Sequence, residues 1–157
     1  MKVKFIQDED FVNYKEISMF IGFCKCDFKC DKECGYPVCQ NSLVATMPSI
    51  EISTDEIVKR YLNNPLTKAI VFGGLEPIDQ LEELVALISK FREKTEDDIV
   101  IYTGYTEDEL KNILDRFTCF KNIIIKYGRF RPYNKRHLDP VLGIELASDN
   151  QYAKKIS

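Results

Sequence analysis

Three short runs, "AIVFGG" (69–74), "DIVIYTGY" (98–105) and "NIIIKYGR" (122–129), open on almost unbroken β-branched or otherwise apolar residues. A strand with one wet face alternates apolar and polar. Runs without alternation predict strands covered on both faces, as in parallel sheets. Helix start signals separate them. Ser53 stands three residues before Glu56 in "STDEIVKRYL", and Thr106 three before Glu109 in "TEDELKNILDRF". Both are capping boxes, in which side chain and backbone satisfy each other's end groups. Asp79 before Glu82 in "DQLEELVALISKFREK" is a weaker Asp version. That segment carries Leu81, Leu84, Val85, Leu87, Ile88 and Phe91 as a helical apolar stripe, and Leu110, Ile113, Leu114 and Phe117 repeat the pattern. The spacing predicts helices over 53–62, 79–94 and 106–117.

Ahead of these units, "KVKFI", a "DED" turn and "FVNY" read as a hairpin running into "EISMFIGF", a mostly apolar strand over 16–23. The predicted fold class is α/β: a partial, barrel-like open (βα) sheet of mostly parallel strands with an N-terminal β-hairpin, in one domain over 1–157. In such a sheet the carboxyl ends of the strands share one edge, where ligands bind. Four loops should therefore meet there: residues 24–42, "GGLEP", "YTGYT" and "YGRFRP".

The loop over 24–42, "CKCDFKCDKECGYPVCQNS", holds Cys24, Cys26, Cys30, Cys34 and Cys39 among Asp, Lys, Glu, Gly and Pro. Buried structural thiols sit among apolar neighbours instead. Thiols so placed point to disulfides, zinc or an iron–sulfur cluster. The net charge of −3 gives no general pull toward nucleic acid. No apolar run reaches membrane-spanning length, and "MKVKFIQDEDF" has no signal-peptide h-region, so a cytoplasmic location is expected. Disulfides rarely persist there. Zinc sites commonly use Cys-x2-Cys pairs, and none is present. Four thiolates could still enclose zinc, which keeps a non-catalytic zinc-binding interaction module open as a reading.

The spacing Cys26-x3-Cys30, following directly on an apolar strand, resembles the radical S-adenosylmethionine enzymes, whose pattern is Cys-x3-Cys-x2-Cys. "CQNS" (39–42) resembles their third cysteine and its neighbours, with Val38 before it and Asn41 after. Eight residues separate Cys30 from Cys39, against two in the family. The resemblance makes Cys26, Cys30 and Cys39 ligands of a 4Fe–4S cluster, with Cys34 as the alternative third ligand. Cys24 reads as a bystander and Cys119 as an ordinary partly buried thiol.

"VFGGLEP" resembles the family's Gly-Gly-Glu-Pro motif with one residue inserted, which implies that Gly73, Gly74 and Glu76 bind S-adenosylmethionine. "YTGYT" (102–106) resembles the activating protein of anaerobic ribonucleotide reductase, adding Tyr102, Thr103 and Gly104 to the cofactor site. "YGRF" and "LASDNQ" are similar to other segments of that family. The resemblance implies reductive cleavage of S-adenosylmethionine to a 5′-deoxyadenosyl radical, which installs a glycyl radical on a large anaerobic ribonucleotide reductase. A flavodoxin-like reductant would supply the electron, and neither nucleic acid nor membrane is an expected partner. A radical enzyme acting on another peptide or small molecule is the alternative. "KYGRFRPYNKRH" (126–137) is basic and aromatic. It reads as a solvated loop or a protein-docking segment, and His137, the only histidine, as an exposed loop residue.

Overall fold

The computed structural model describes residues 1–157. In chain order the elements are β1 (Lys2–Val3), β2 (Phe5–Asp10), β3 (Ser18–Phe23), α1 (Lys29–Cys34), α2 (Ser42–Thr46), β4 (Ile50–Glu51), α3 (Thr54–Leu62) and β5 (Ala69–Gly74). A 3-10 turn (Pro77–Gln80) leads into α4 (Leu81–Arg92), β6 (Asp98–Tyr102), α5 (Glu107–Leu110), α6 (Asp115–Thr118) and β7 (Ile123–Tyr127). The chain closes with β8 (His137–Asp139), β9 (Ile144–Leu146) and β10 (Tyr152–Lys155).

The main sheet has the order β10-β7-β6-β5-β3-β2. Its four inner strands are parallel, and the edge strands β2 and β10 run antiparallel to their neighbours. The inner strands are parallel, as the apolar runs predict, and the sheet stays open rather than closing into a barrel. β5 and β7 are buried along their whole length. Side-chain alternation sorts the inner strands into two faces. Ile21, Phe23, Phe72, Ile99, Ile101 and Ile125 pack against Ile57, Tyr61, Leu84, Leu87, Ile88 and Phe91 of the helices. Val71, Val100 and Ile124 face the other way, onto Tyr14, Leu142 and Leu146. Helices therefore cover one face only, and the C-terminal segment covers part of the other. No helix is long and apolar enough to cross a membrane.

Several local expectations need correction. The hairpin pairs β2 with β3, so "DED" belongs to the strand and residues 11–17 make the connection. Asp10 holds that connection by accepting hydrogen bonds from the Asn13 backbone N–H and side-chain amide, both at 3.0 Å. Lys2 and Val3 pair instead with β4. Ser53 caps α3, accepting from the Glu56 N–H at 3.1 Å, but the Glu56 side chain does not return the bond, so only half of the expected capping box forms. Asp79 is not a cap. Glu76 caps the 3-10 turn through the Ile78 N–H, and Pro77 follows at the first turn position, which needs no N–H. The third helix starts at Thr106 with both capping-box bonds, but it breaks into α5 and α6. Ile113 and Arg116 bond three residues back, a 3-10 tightening of the ladder. Cys119 is exposed rather than partly buried.

Candidate iron–sulfur site

Strand parity decides which side chains face the uncovered part of the sheet. Phe20, Gly73, Tyr102 and Lys126 lie on the same face as Val71, Val100 and Ile124, Phe20 level with Val71 and the other three one step nearer the carboxyl edge. There they line a cavity of about 460 Å³, a size suited to a small-molecule ligand. The four loops that topology brings together all contribute. Cys26, Cys30 and Cys39 form one wall, with Asn41 beside them; Gly73, Gly74 and Glu76 form a second, joined to the first where the Glu76 N–H meets the Lys25 carbonyl; Thr103, Gly104, Gly128 and Arg129 close the rest. Cys24 and Cys34 do not line it. Cys24 Sγ instead lies 3.4 Å from Ser49 Oγ.

The two glycines of "VFGG" answer to the chain itself. Gly74 has φ +80°, a left-handed conformation, and a Cβ there would lie 2.8 Å from the Gly22 Cα. A Cβ on Gly73 would lie 2.8 Å from the Phe20 ring. The close approach of β3 and β5 therefore keeps this part of the cavity low and smooth.

Glu76 is buried, and its carboxylate is occupied. Oε1 accepts from the Ile78 N–H at 3.2 Å and Oε2 from the Gly104 N–H at 2.8 Å. Burial pushes its pKa up to about 7 despite these bonds and one from the Thr103 hydroxyl. Glu76 thus ties the glycine turn to the "YTGYT" loop. Lys126 is equally buried at the base of the cavity, with its ammonium donating to the Gly128 carbonyl at 2.9 Å. Desolvation lowers its pKa to about 8, with Glu76 opposing that shift. Arg129, also buried, forms a two-pronged ion pair with Glu109 at 2.6 and 2.9 Å. It also approaches Glu33 of α1 at 3.2 Å, as an ion pair whose N–H is not aligned for a hydrogen bond. The expected solvated basic loop holds only from Arg131 onward, where Arg131, Lys135 and Arg136 are exposed. His137 is half-buried on β8, its Nδ1 shielded and unpartnered.

The cysteine wall is built differently. No residue from Cys24 to Ile50 is buried. Polar tethers place it instead. Gln80 Oε1 accepts from the Cys24 N–H at 2.6 Å and the Lys25 N–H at 3.2 Å, and the Glu76 N–H donates to the Lys25 carbonyl at 2.7 Å. Lys4 donates to the Ala45 and Met47 carbonyls at 3.0 and 2.6 Å. Cys26 Sγ accepts the Phe28 N–H at 3.3 Å, and the backbone N–H groups of Phe130 and Asn41 lie near Cys30 and Cys39, where they favour the thiolate. Burial outweighs these contacts, pushing Cys26 up to about 11 and raising Cys30 and Cys39. Such thiols are protonated at neutral pH, and a metal displaces their protons on binding. Backbone N–H groups aimed at sulfur also adjust cluster potentials. A mixed donor set also exists, since ligand atoms of Cys26, Asp27 and Asp79 lie within 4.8 Å of one another. There Asp79 already accepts from the Tyr105 hydroxyl at 2.7 Å, and Asp27 pairs with Lys29 and Lys32.

The family model described as "4Fe-4S single cluster domain" matches residues 16–150. No curated protein and no solved structure matches the chain.

The motifs were readable in the sequence, as was the meeting of their loops. Lys126 and Arg129 were missed as site residues. A lysine inside "NIIIKYGR" was the available signal, because alternation puts Lys126 on the face of Ile124 and against the cavity.

Proposed function

The chain belongs to the 4Fe-4S single cluster domain family, and on that premise we propose that it is a radical S-adenosylmethionine enzyme of the activating type. Its reaction would install a glycyl radical on a large partner, in the manner of anaerobic ribonucleotide reductase activation, with a flavodoxin-like protein as reductant. One observation carries this reading. The three thiols at Cys26, Cys30 and Cys39 line the same cavity as Gly73, Gly74, Tyr102, Thr103 and Gly104, whereas Cys24 and Cys34 lie outside it. Three thiolates suit a 4Fe–4S cluster that keeps one iron free for a ligand. The donor set fits the group, and so does the rim. At Gly73 and Gly74 the lining carries no side chain.

When bound, such a cluster supplies the electron that cleaves S-adenosylmethionine at its sulfonium. The chain's own residues do the rest: hold, orient and shield. Gly73 and Gly74 offer backbone groups to the methionyl end of the cofactor. Glu76 fixes the distance between the glycine turn and Gly104. Lys126 places a buried ammonium at the floor, suited to a carboxylate. Tyr102 donates its hydroxyl to the Asn13 carbonyl at 2.5 Å, which locks its ring in the cavity wall.

Anaerobic reconstitution tests the reading. Wild type and Cys34→Ala should take up four irons per chain and release 5′-deoxyadenosine from S-adenosylmethionine under reduction. Cys26→Ala, Cys30→Ala and Cys39→Ala should lose both properties. A glycyl-radical signal in electron paramagnetic resonance on addition of a candidate reductase would identify the partner. One tightly held zinc with no iron would favour the interaction-module reading.

A further inference from the structure

The interval between the second and third cavity cysteines poses a physical problem. Eight residues separate Cys30 from Cys39, and a chain of that length can extend roughly 30 Å. Cluster ligands must converge within a few ångströms. Burial does not bring them together, because nothing between Cys24 and Ile50 is buried.

We propose that Asp31 is the positioning residue that folds this interval back and holds Cys39 against Cys30. This rests on the reading of Cys39 as a cluster ligand. Asp31 adjoins Cys30 directly in the chain. Its Oδ1 accepts the Val38 N–H at 2.8 Å and the Cys39 N–H at 2.8 Å. Its main-chain carbonyl accepts the Gly35 N–H at 2.9 Å. Gly35, at φ +75°, provides the left-handed turn that ends α1 and starts the return. One residue therefore binds the turn, the residue before the third cysteine and that cysteine's own amide. The neighbour of one ligand is bonded to the backbone of the next, which fixes their separation before any metal arrives.

The geometry makes a specific demand. Both side-chain bonds end on the same oxygen. An asparagine carbonyl can supply that oxygen without the charge, and alanine cannot. The test follows amide hydrogen exchange at Val38 and Cys39 in the metal-free protein, and iron release to a chelator after reconstitution. Wild type and Asp31→Asn should agree within about twofold. Asp31→Ala should exchange about tenfold faster at both amides, the scale of losing a hydrogen bond of typical net strength. It should also release iron about tenfold faster. Amides of Ile99–Ile101, in the central sheet, serve as the internal control and should not change. Unchanged exchange at Val38 and Cys39 in Asp31→Ala, or an Asp31→Asn protein that behaves like the alanine variant, would overturn the proposal. Cys39→Ala, run in parallel, separates the two levels. If it keeps its full iron, the ligand reading falls and the inference with it. If it loses iron while Asp31→Ala keeps both iron and exchange rates, the inference alone falls.

Discussion

The two walls of the cavity are made by opposite means. The glycine wall ends strands that are buried on both faces, and its carboxylate is already spent on the protein, Glu76 on Ile78 and Gly104, while Lys126 beside it on β7 gives one hydrogen to Gly128. The cysteine wall has no buried residue, and is held by Asp31, Gln80, Lys4 and the Arg129–Glu33 pair. The first gains its position from the hydrophobic core. The second is set by a few polar tethers and by whatever its thiols bind, so its order should depend on metal in a way the sheet's does not.

The largest effect should come from attacking the core behind the glycine wall. Phe72 is fully buried and packs edge-on to Phe23, with ring centroids 5.8 Å apart. Phe72→Ala should cost about 3–5 kcal/mol, the combined loss of transfer energy and a cavity. Leu43→Ala, at a side chain 79% exposed in the cysteine wall, should stay within about 0.5 kcal/mol. Urea denaturation of the metal-free protein checks both. Similar costs for the two would abolish the contrast.

Next in size is a pH effect confined to the glycine wall. Glu76 is raised from its ordinary 4.5 to about 7. The unfolded chain therefore ionises this group first, and stability falls as pH rises from about 4.5 to 7. The shift corresponds to on the order of 3 kcal/mol. Lys126 is lowered from 10.5 to about 8, so its burial cost is relieved as pH rises from about 8 to 10.5. The metal-free protein should have a stability minimum between the two, near neutral pH, where both buried groups carry charge. Glu76→Gln should flatten the acid limb and Lys126→Met the alkaline one, as read from denaturation midpoints across pH. A wild-type profile without the minimum would mean that this wall is wetter than its burial indicates.

Gly74→Ala sharpens the comparison at a single Cβ. With φ +80° and the Gly22 Cα 2.8 Å from the added atom, it should cost about 1–3 kcal/mol. Gly35 in the cysteine wall also has a positive φ, but a Cβ there meets nothing within 4 Å. Gly35→Ala should cost only the backbone strain, about 1 kcal/mol. Equal losses in the two denaturation curves would remove the role assigned to the β3–β5 approach.

The same division explains what could be read from sequence. β5, β6 and β7 announce themselves because burial on both faces leaves almost only apolar residues, with Asp98 and Lys126 as the charged exceptions, and parallel topology then dictates which loops meet. The cysteines were visible as a motif, and their shared cavity followed from the strand order. Edge elements were illegible. β10, "YAKK", buries a single alanine, and β1 and β4 are two residues each. Their pairing depends on neighbours distant in sequence. Asp79 matched a capping signature and yet does other work, since Pro77 starts the turn early and leaves the cap to Glu76. Asp31 carries no signal at all. An aspartate in a polar loop is ordinary, and its two amide partners become apparent only once the chain has folded back. Lys126 was legible in principle, through alternation within "NIIIKY", but its composition-level reading as part of a basic loop concealed it.

The smallest effect tests whether the two walls are energetically separate. Arg129 belongs to both: its buried guanidinium grips Glu109 with two hydrogen bonds and reaches Glu33 in α1 through one unaligned contact. Glu33 is about half exposed, so water screens this link and its contribution should be no more than about 1 kcal/mol. Glu33→Gln should leave the denaturation midpoint almost unchanged, because the Glu109 pair keeps Arg129 neutralised. Amide exchange within α1 should nevertheless quicken by about two- to fivefold, consistent with losing a pair of that strength, and added salt should produce the same change in wild type. A drop in global stability as large as that of Gly74→Ala would show that the cysteine wall is part of the cooperative core. The tethers would then be consequences of its folding rather than its cause.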